Sequence, residues 1–316
     1  MNLDNYINAG KIHKSVKTYI EPHLIPGIKY IDICNLIEDK IKNDTTLIYG
    51  TQLNNGVGFP TGISVNNVAA HYTPSNNTTD ILKDSDVVKI DYGVHIDGCI
   101  VDSAFTINLN DEYSTLIKAS EEAVNSVIKN IGVDSRFNDL SCISKEIVES
   151  YEYNNKPLKI IDNLAGHNIL PWKIHGGKLL YGMPSYTNDY NTLKVDDGDI
   201  MAIEFFVSNG NGTTMLDMNY KNHSHYMLKD NVTKIPLFQN KRTNNLASII
   251  QSEFKTLPFC QRFIQNNIDY SKNLQELFNY GYLNSYPPLL ETDPKSKVAQ
   301  FEHSVYISEN KKIVLS

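Results

Sequence analysis

Four carboxylates interrupt short, apolar, β-branched runs: Asp91 in VVKIDYG, Asp102 in CIVDSAF, Glu204 in IMAIEFFV and Glu302 in VAQFEHSVYI. An acid in such a run is an anomaly, because burying a charged carboxylate is expensive unless a cation or hydrogen bonds compensate it. Asp97-Gly98, between the first two, is a strong signal for a two-residue hairpin turn. With that turn, Ile96 faces Cys99, Asp91 lies opposite Ala104 and Asp102 opposite Gly93. The two aspartates then share a face as diagonal neighbours roughly 7 to 8 Å apart. Carboxylates that close resist ionising together, and a divalent cation is the simplest remedy. Carboxylate oxygens select hard or borderline metals, and a shared carboxylate can bridge two ions about 3.5 to 4 Å apart. His167 in NLAGHNI and His175 in KIHGGK add imidazoles beside glycines, where backbone can approach a site closely. One such histidine alone is more often structural; in company with the strand acids the pair points toward a metal site. His71, in VAAHYTP, fits either a strand end or a catalytic group.

The elements that must carry these residues are legible in outline. Apolar residues at helical spacing predict a helix over 5–21, closed by Pro22, and a second through Ile33, Leu36, Ile37 and Ile41 after Pro26-Gly27. Helical patterns return at 111–130 and 137–152, and strands are expected at 158–161, 199–207 and 297–307. Between the last two lies a segment of helical character containing NNLASIIQSEF and NLQELFNYG. Helices and strands alternate without regular βαβ spacing and the clear strand pair is antiparallel, so the fold class is α+β. No internal repeat is visible.

Composition sets the outer bounds. The 316 residues carry 29 Lys and Arg against 36 Asp and Glu, a formal net charge of -7, with 41% hydrophobic residues. That is a globular composition with room for a large core, and its acidity argues against a protein built to hold phosphate backbones. No apolar leader or run of membrane-spanning length is present, so a cytoplasmic chain is expected. The four cysteines form no C-x-x-C pair and read as reduced, buried thiols. Neither a G-x-G-x-x-G nor a Walker A loop appears.

GVGFPTGISVNNVAAHYTP, VKIDYGVHIDGCIVDSAF, NLAGHNI, IHGGK, AIEFF, SHYM, YPPL and AQFEH occur in this order. Together they resemble the type 2 methionine aminopeptidase family over nearly the whole chain. The resemblance implies a pita-bread fold in one catalytic domain, 1–316, with a helical insertion subdomain at 224–286. It also implies a centre of two divalent metal ions, of Mn, Fe, Co or Zn. Asp91, Asp102, His167, Glu204 and Glu302 match the five ligand positions; in the family pattern Asp102 and Glu302 bridge both ions, Asp91 chelates one, and His167 and Glu204 complete the other. His71 and His175 match catalytic, substrate-contacting histidines, and Glu204 is the implied proton shuttle for a hydroxide that the two metals activate. Phe59, Ile174, His225 and Tyr286, with Tyr226 and Met227, fall in motifs lining or bordering the methionine side-chain pocket.

The implied reaction is removal of N-terminal methionine from peptides and nascent chains with a small second residue. The implied setting is a cytoplasmic monomer without membrane or specific nucleic-acid partners, the question of ribosome contact being left open by the missing charged N-terminal extension. Three departures from the family pattern stand out. Gly176 replaces a frequent Ala, Leu170-Pro171-Trp172 follow His167 in place of small and polar residues, and DMNYKNHSHYM is long enough to offer His223 as well as His225. His225 is the chosen candidate. The competing reading is a non-catalytic relative of the same fold that binds RNA or ribosomal partners; lost ligands would support it, and all five are present.

Overall fold

Two stretches of chain repeat one plan, a pair of helices packed over an antiparallel sheet. In the computed structural model residues 2–49, 54–185, 187–219, 223–264 and 268–316 are described. In the first half, helices α1 (Leu3–Ile20) and α2 (Tyr30–Tyr49) precede strands β1 (Asn55–Val65), β2 (Val68–Ala70), β3 (Val88–Ile96) and β4 (Cys99–Ile107). β1, β3 and β4 form a sheet in that order. Tyr6, Ala9, Val16 and Ile20 of α1 and Ile33, Ile37 and Ile41 of α2 recur at helical spacing, and all are buried against Ile63, Ile90, Tyr92 and Val101 of the sheet.

In the second half, α3 (Ser114–Asn130) and α4 (Phe137–Glu149) are followed by a two-residue hairpin, β5 (Glu152–Tyr153) and β6 (Lys156–Pro157). After it come β7 (Lys159–Ile160), β8 (Ala165–Asn168), β9 (Leu179–Tyr181), the short helix α5 (Asn188–Thr192) and β10 (Ile200–Ser208). Strands β15 (Val298–Ile307) and β16 (Lys312–Val314) complete the sheet β16-β15-β10-β8-β9, while β7 pairs with β10. Leu116, Val124, Phe137 and Leu140 bury on Met201, Ile203, Phe205 and Val305. Between β10 and β15 the chain adds β11 (Thr214–Leu216), β12 (His225–Leu228), α6 (Lys241–Ile249), α7 (Ser271–Asn279), β13 (Leu283–Tyr286) and β14 (Leu289–Glu291). β11, β14 and β2 form a small sheet.

The helices and strands fall within a few residues of expectation. α3 starts at Ser114 rather than 111, because the Asn108 side-chain oxygen takes the Tyr113 N–H at 3.0 Å and holds the preceding residues in a turn. The strand expected over 158–161 is reduced to Lys159–Ile160. One cysteine departs from expectation. Cys34, Cys99 and Cys260 are buried, but Cys142 is exposed, because Leu140, Ser141 and Ser144 occupy the inward face of α4.

The two halves meet along β4 and β15, which belong to different sheets. Hydroxyls stitch this seam. Ser304 Oγ accepts the Asp102 N–H at 2.9 Å and donates to the Asp102 carbonyl at 2.7 Å, and Thr106 Oγ1 is related in the same reciprocal way to Gln300, at 2.8 and 2.7 Å. Ser103 Oγ donates to the Glu302 carbonyl at 2.5 Å. These side chains do the work of a backbone ladder between the two strands, and satisfy backbone groups that burial would otherwise penalise.

The segment from β12 to β13 has its own small core of Leu246, Ile250, Phe259, Tyr270, Leu274 and Leu277. It is tied to the first half by a buried ion pair. Arg262 donates to both carboxylate oxygens of Glu38 at 2.6 and 2.9 Å, to Thr73 Oγ1 at 2.8 Å and to the Pro74 carbonyl at 3.0 Å, and Glu38 also accepts the Thr61 N–H at 3.1 Å. The two side chains are 5% and 3% exposed. Removing one partner of such a pair strands the other charge, so Arg262→Met is expected to lose about 3–5 kcal/mol of stability. The double variant Glu38→Gln/Arg262→Met recovers part of that loss. Urea denaturation midpoints of the three proteins check this, and a loss under about 1 kcal/mol in the single variant would refute the anchoring role.

Candidate metal centre

The hairpin register follows from its turn. Asp97 and Gly98 both have positive φ, 49° and 77°, the backbone of a type I′ turn. Ile96 pairs with Cys99, Asp91 with Ala104 and Asp102 with Gly93, as turn arithmetic requires. On the other side of the seam Glu204 and Glu302 are directly opposite each other in the β10–β15 ladder. His167 of β8 lies opposite Ala202 of β10. β8 can come this near because Gly166 has no side chain: a Cβ there would stand 2.4 Å from the Ala202 carbonyl oxygen. All five expected ligands line one cleft, together with His71 and His175.

Asp102 and Glu302 are buried, and Asp91 and Glu204 form the adjoining wall. Enclosure pushes the Asp102 carboxyl up to about 7. Asp91, Glu204 and Glu302 are raised well above the usual carboxylate range, first by loss of solvent and then by their acidic neighbours. Asp91 Oδ1, Asp102 Oδ1 and Glu302 Oε1 are buried oxygens with no hydrogen-bond partner. The Gln300 amide provides partial relief, donating to Glu204 Oε2 at 2.9 Å and, at a longer 3.4 Å, to Asp91 Oδ2. Asp102, His167 and Glu302 each present a ligand atom, all within 4.8 Å of one another. Orphaned carboxylate oxygens converging with an imidazole nitrogen fit a hard or borderline divalent cation. His167 Nε2 faces Asp102 Oδ2 at 3.5 Å while Nδ1 lies 3.3 Å from the Asn168 carbonyl, which favours the tautomer with its lone pair on Nε2.

Around these acids stand neutral imidazoles. Burial, the largest cause in each case, lowers His71 and His167 to about 4 and His175 and His225 to about 3. The His167 and His175 rings meet edge to face, 4.5 Å between centroids at 87°. His71, held at φ 65°, lies 5.8 Å from the Tyr286 ring and 6.2 Å from that of His225. Phe59, Ile174, His225 and Tyr286 line the cleft.

His225 and His223 separate clearly. His223 Nδ1 is 3.1 Å from Ser285 Oγ and its Nε2 is 3.0 Å from the Asp217 carbonyl, whereas His225 forms part of the cleft wall. Tyr226 departs from the pocket reading: strand alternation turns its ring onto Phe259 in the helical layer, 6.1 Å away. Gln300 was not anticipated. The signal was present, since two residues along a strand return to the same face and AQFEH places Gln300 beside Glu302. Leu164, Phe206, Leu289 and Pro258 also line the cleft.

Residues 4–309 match metallopeptidase family M24. The chain is 38% identical over 320 residues to methionine aminopeptidase 2 of Candida dubliniensis, covering 99% of this chain and 68% of that one. Among solved structures, a thermophilic Arx1 superposes with TM-score 0.85 at 20% identity, covering 99% of this chain and 90% of that one. The methionine aminopeptidase of Rickettsia prowazekii does so with TM-score 0.64 at 18% identity, covering 99% and 96%. At such identities the two structures speak for the fold alone, two-halved and α+β as expected.

The raised carboxylates give a signed prediction. Their metal-free contribution to stability is complete below the ordinary carboxylate range and is lost as pH rises through the folded-state values, about 7 for Asp102. A cation replaces those protons, so its stabilising effect must grow with pH. Adding Mn²⁺ to chelator-treated protein is expected to raise the thermal midpoint, by about 2.7 kcal/mol of stabilisation at a hundredfold excess over the dissociation constant. The rise should be larger near pH 8 than near pH 6. Differential scanning calorimetry checks it; an increment flat across that range would place the cation elsewhere.

Proposed function

The chain belongs to metallopeptidase family M24 and groups with methionine aminopeptidase 2, and on that premise we propose that it removes N-terminal methionine from peptides and nascent proteins with a small second residue. The observation that carries the reading is the set of acids and neutral histidines converging in one cleft. Asp91, Asp102, His167, Glu204 and Glu302 would hold two divalent ions, drawn from Mn, Fe, Co and Zn. Bound there, the ions supply Lewis acidity that polarises the scissile carbonyl and acidifies water.

The chain's own groups do the rest. Glu204 accepts a proton from the attacking water and returns it to the departing amine. Its hydrogen bond from Gln300 fixes the carboxylate's orientation. His175 stays neutral at cellular pH, so its N–H can donate to the oxyanion as charge develops without a prior charge to desolvate. His71 orients the backbone beyond the scissile bond. Phe59, Ile174, His225 and Tyr286 enclose the methionine side chain. We take 224–286 as the helical insertion subdomain of one catalytic domain spanning 1–316, part of that insertion (265–267) lying outside the described residues. The protein acts as a cytoplasmic monomer; no described helix is long and apolar enough to cross a membrane. A purely binding role would leave these enclosed acids as an unexplained cost to stability.

Metal-loaded protein is expected to release methionine from Met-Ala-Ser and to leave Arg-Pro-Pro intact. Glu204→Gln should reduce kcat by about 10² to 10⁴, the span of general acid–base contributions. A chromatographic assay of free methionine checks both. No release with any of the four metals from a folded chain would turn the reading to the binding relative.

A further inference from the structure

Trp172 takes no part in the chemistry above, yet the turn it occupies leads directly into Ile174 and His175 of the cleft. It is the sole tryptophan of the chain. Its backbone sits at φ 62°, the left-handed region that a bulky aromatic residue avoids unless its surroundings impose it. The surroundings do so from three directions. The Trp172 N–H donates to the Gly98 carbonyl at 2.8 Å, at the tip of the hairpin that carries Asp91 and Asp102. The indole lies so close over that tip that a Cβ on Gly98 would stand 2.3 Å from Nε1. Lys255 Nζ is 4.2 Å from the ring centroid, a cation–π contact, and the Thr256 hydroxyl donates to the Trp172 carbonyl at 2.5 Å. Leu170 and Lys173 close the turn with two backbone hydrogen bonds of 3.0 and 2.9 Å, and the Gly176 N–H donates to the Asn168 carbonyl at 2.6 Å, beside His167. Lys173 Nζ meets Asp230 Oδ2 at 2.6 Å.

We propose that Trp172 is the positioning residue of the Ile174–His175 segment, an aromatic clamp that locks this segment between the tip of the acid-bearing hairpin and the Lys255-Thr256 turn. The clamp sets where His175 stands relative to His167 and the acids. Trp172 need touch no substrate; it acts through the short backbone that joins it to His175. The kinetic part of the test rests on the proposed aminopeptidase reading, while hydrogen exchange does not.

Trp172→Ala is expected to lower kcat for methionine release by about 10- to 100-fold, as misplacement of a catalytic group by a fraction of an ångström does. KM for Met-Ala-Ser should stay within about threefold and Mn²⁺ affinity should be unchanged. Amides of Lys173 and Gly176 should exchange faster by at least about tenfold, with those of β10 and β15 unaffected. Trp172→Tyr keeps a ring over Gly98 and should retain most of the activity. Thr256→Val, a milder change, should move kcat and exchange in the same direction by a few fold. Retention of kcat and exchange protection in Trp172→Ala would overturn the proposal, as would a loss of protection spread evenly over the strands, which would mark a role in stability alone. If wild-type protein releases no methionine, the activity reading fails, and the exchange pattern alone decides the clamp.

Discussion

Glu204 and Glu302 face each other across one antiparallel ladder, and Asp91 and Asp102 join them from the other side of the seam. Like charges directly opposite in a sheet repel, and removal from water deepens the penalty. A flexible site would relieve this by letting the carboxylates swing apart or take up water. Here the reciprocal bonds of Ser304 to Asp102 and of Thr106 to Gln300 hold the backbones of both sides in fixed relation. The loss of solvent, compounded by that repulsion, therefore persists as raised proton affinity and as carboxylate oxygens without partners. Neither half of the molecule makes this centre alone. The first half supplies the aspartates, the second supplies the glutamates and His167, and the hydroxyl seam turns two ordinary sheets into one site.

The same enclosure acts in opposite directions on the two kinds of side chain that share it. Desolvation disfavours charge, so carboxyls rise and imidazoles fall. His71, His167, His175 and His225 are neutral well into the acid range, while Asp102 is only half ionised near neutrality. Divergent environments of this kind divide acid from base roles within one cleft. They also make the histidines usable as neutral donors or ligands without competing for the protons the acids hold.

How much of this was legible depends on the distance over which each feature is determined. The β3–β4 register is local, fixed by Asp97-Gly98 and the two-residue period of a strand, and turn arithmetic recovers every pairing around the aspartates. The four acids announce themselves as polar interruptions of apolar runs. What joins Glu204 to Glu302 is nearly a hundred residues of chain, and no local pattern states that those strands pair in that register. The seam hydroxyls look like ordinary strand serines and threonines. Glu38 lies in a helix whose apolar stripe is plain, and its burial is compensated by Arg262, 224 residues away, and by the Thr61 N–H. Tyr226 misleads for a simpler reason: it belongs to a pocket-forming motif, but its neighbours His225 and Met227 take the inward face of β12.

The chain beside His71 and beside His175 is contacted by one short stretch of the helical segment. At one end Lys255 and Thr256 grip Trp172, three residues before His175. At the other, Arg262 binds Thr73 and Pro74, directly after His71 and Tyr72. Between them Pro258 reaches the cleft wall. The span of eight residues 255–262 thus contacts the chain beside both imidazoles, at Trp172 and at Thr73 and Pro74. Anchoring that span by a desolvated bidentate ion pair at one end and an aromatic clamp at the other uses interactions with strong directional demands. Apolar packing alone would hold the segment against its neighbours without fixing its register.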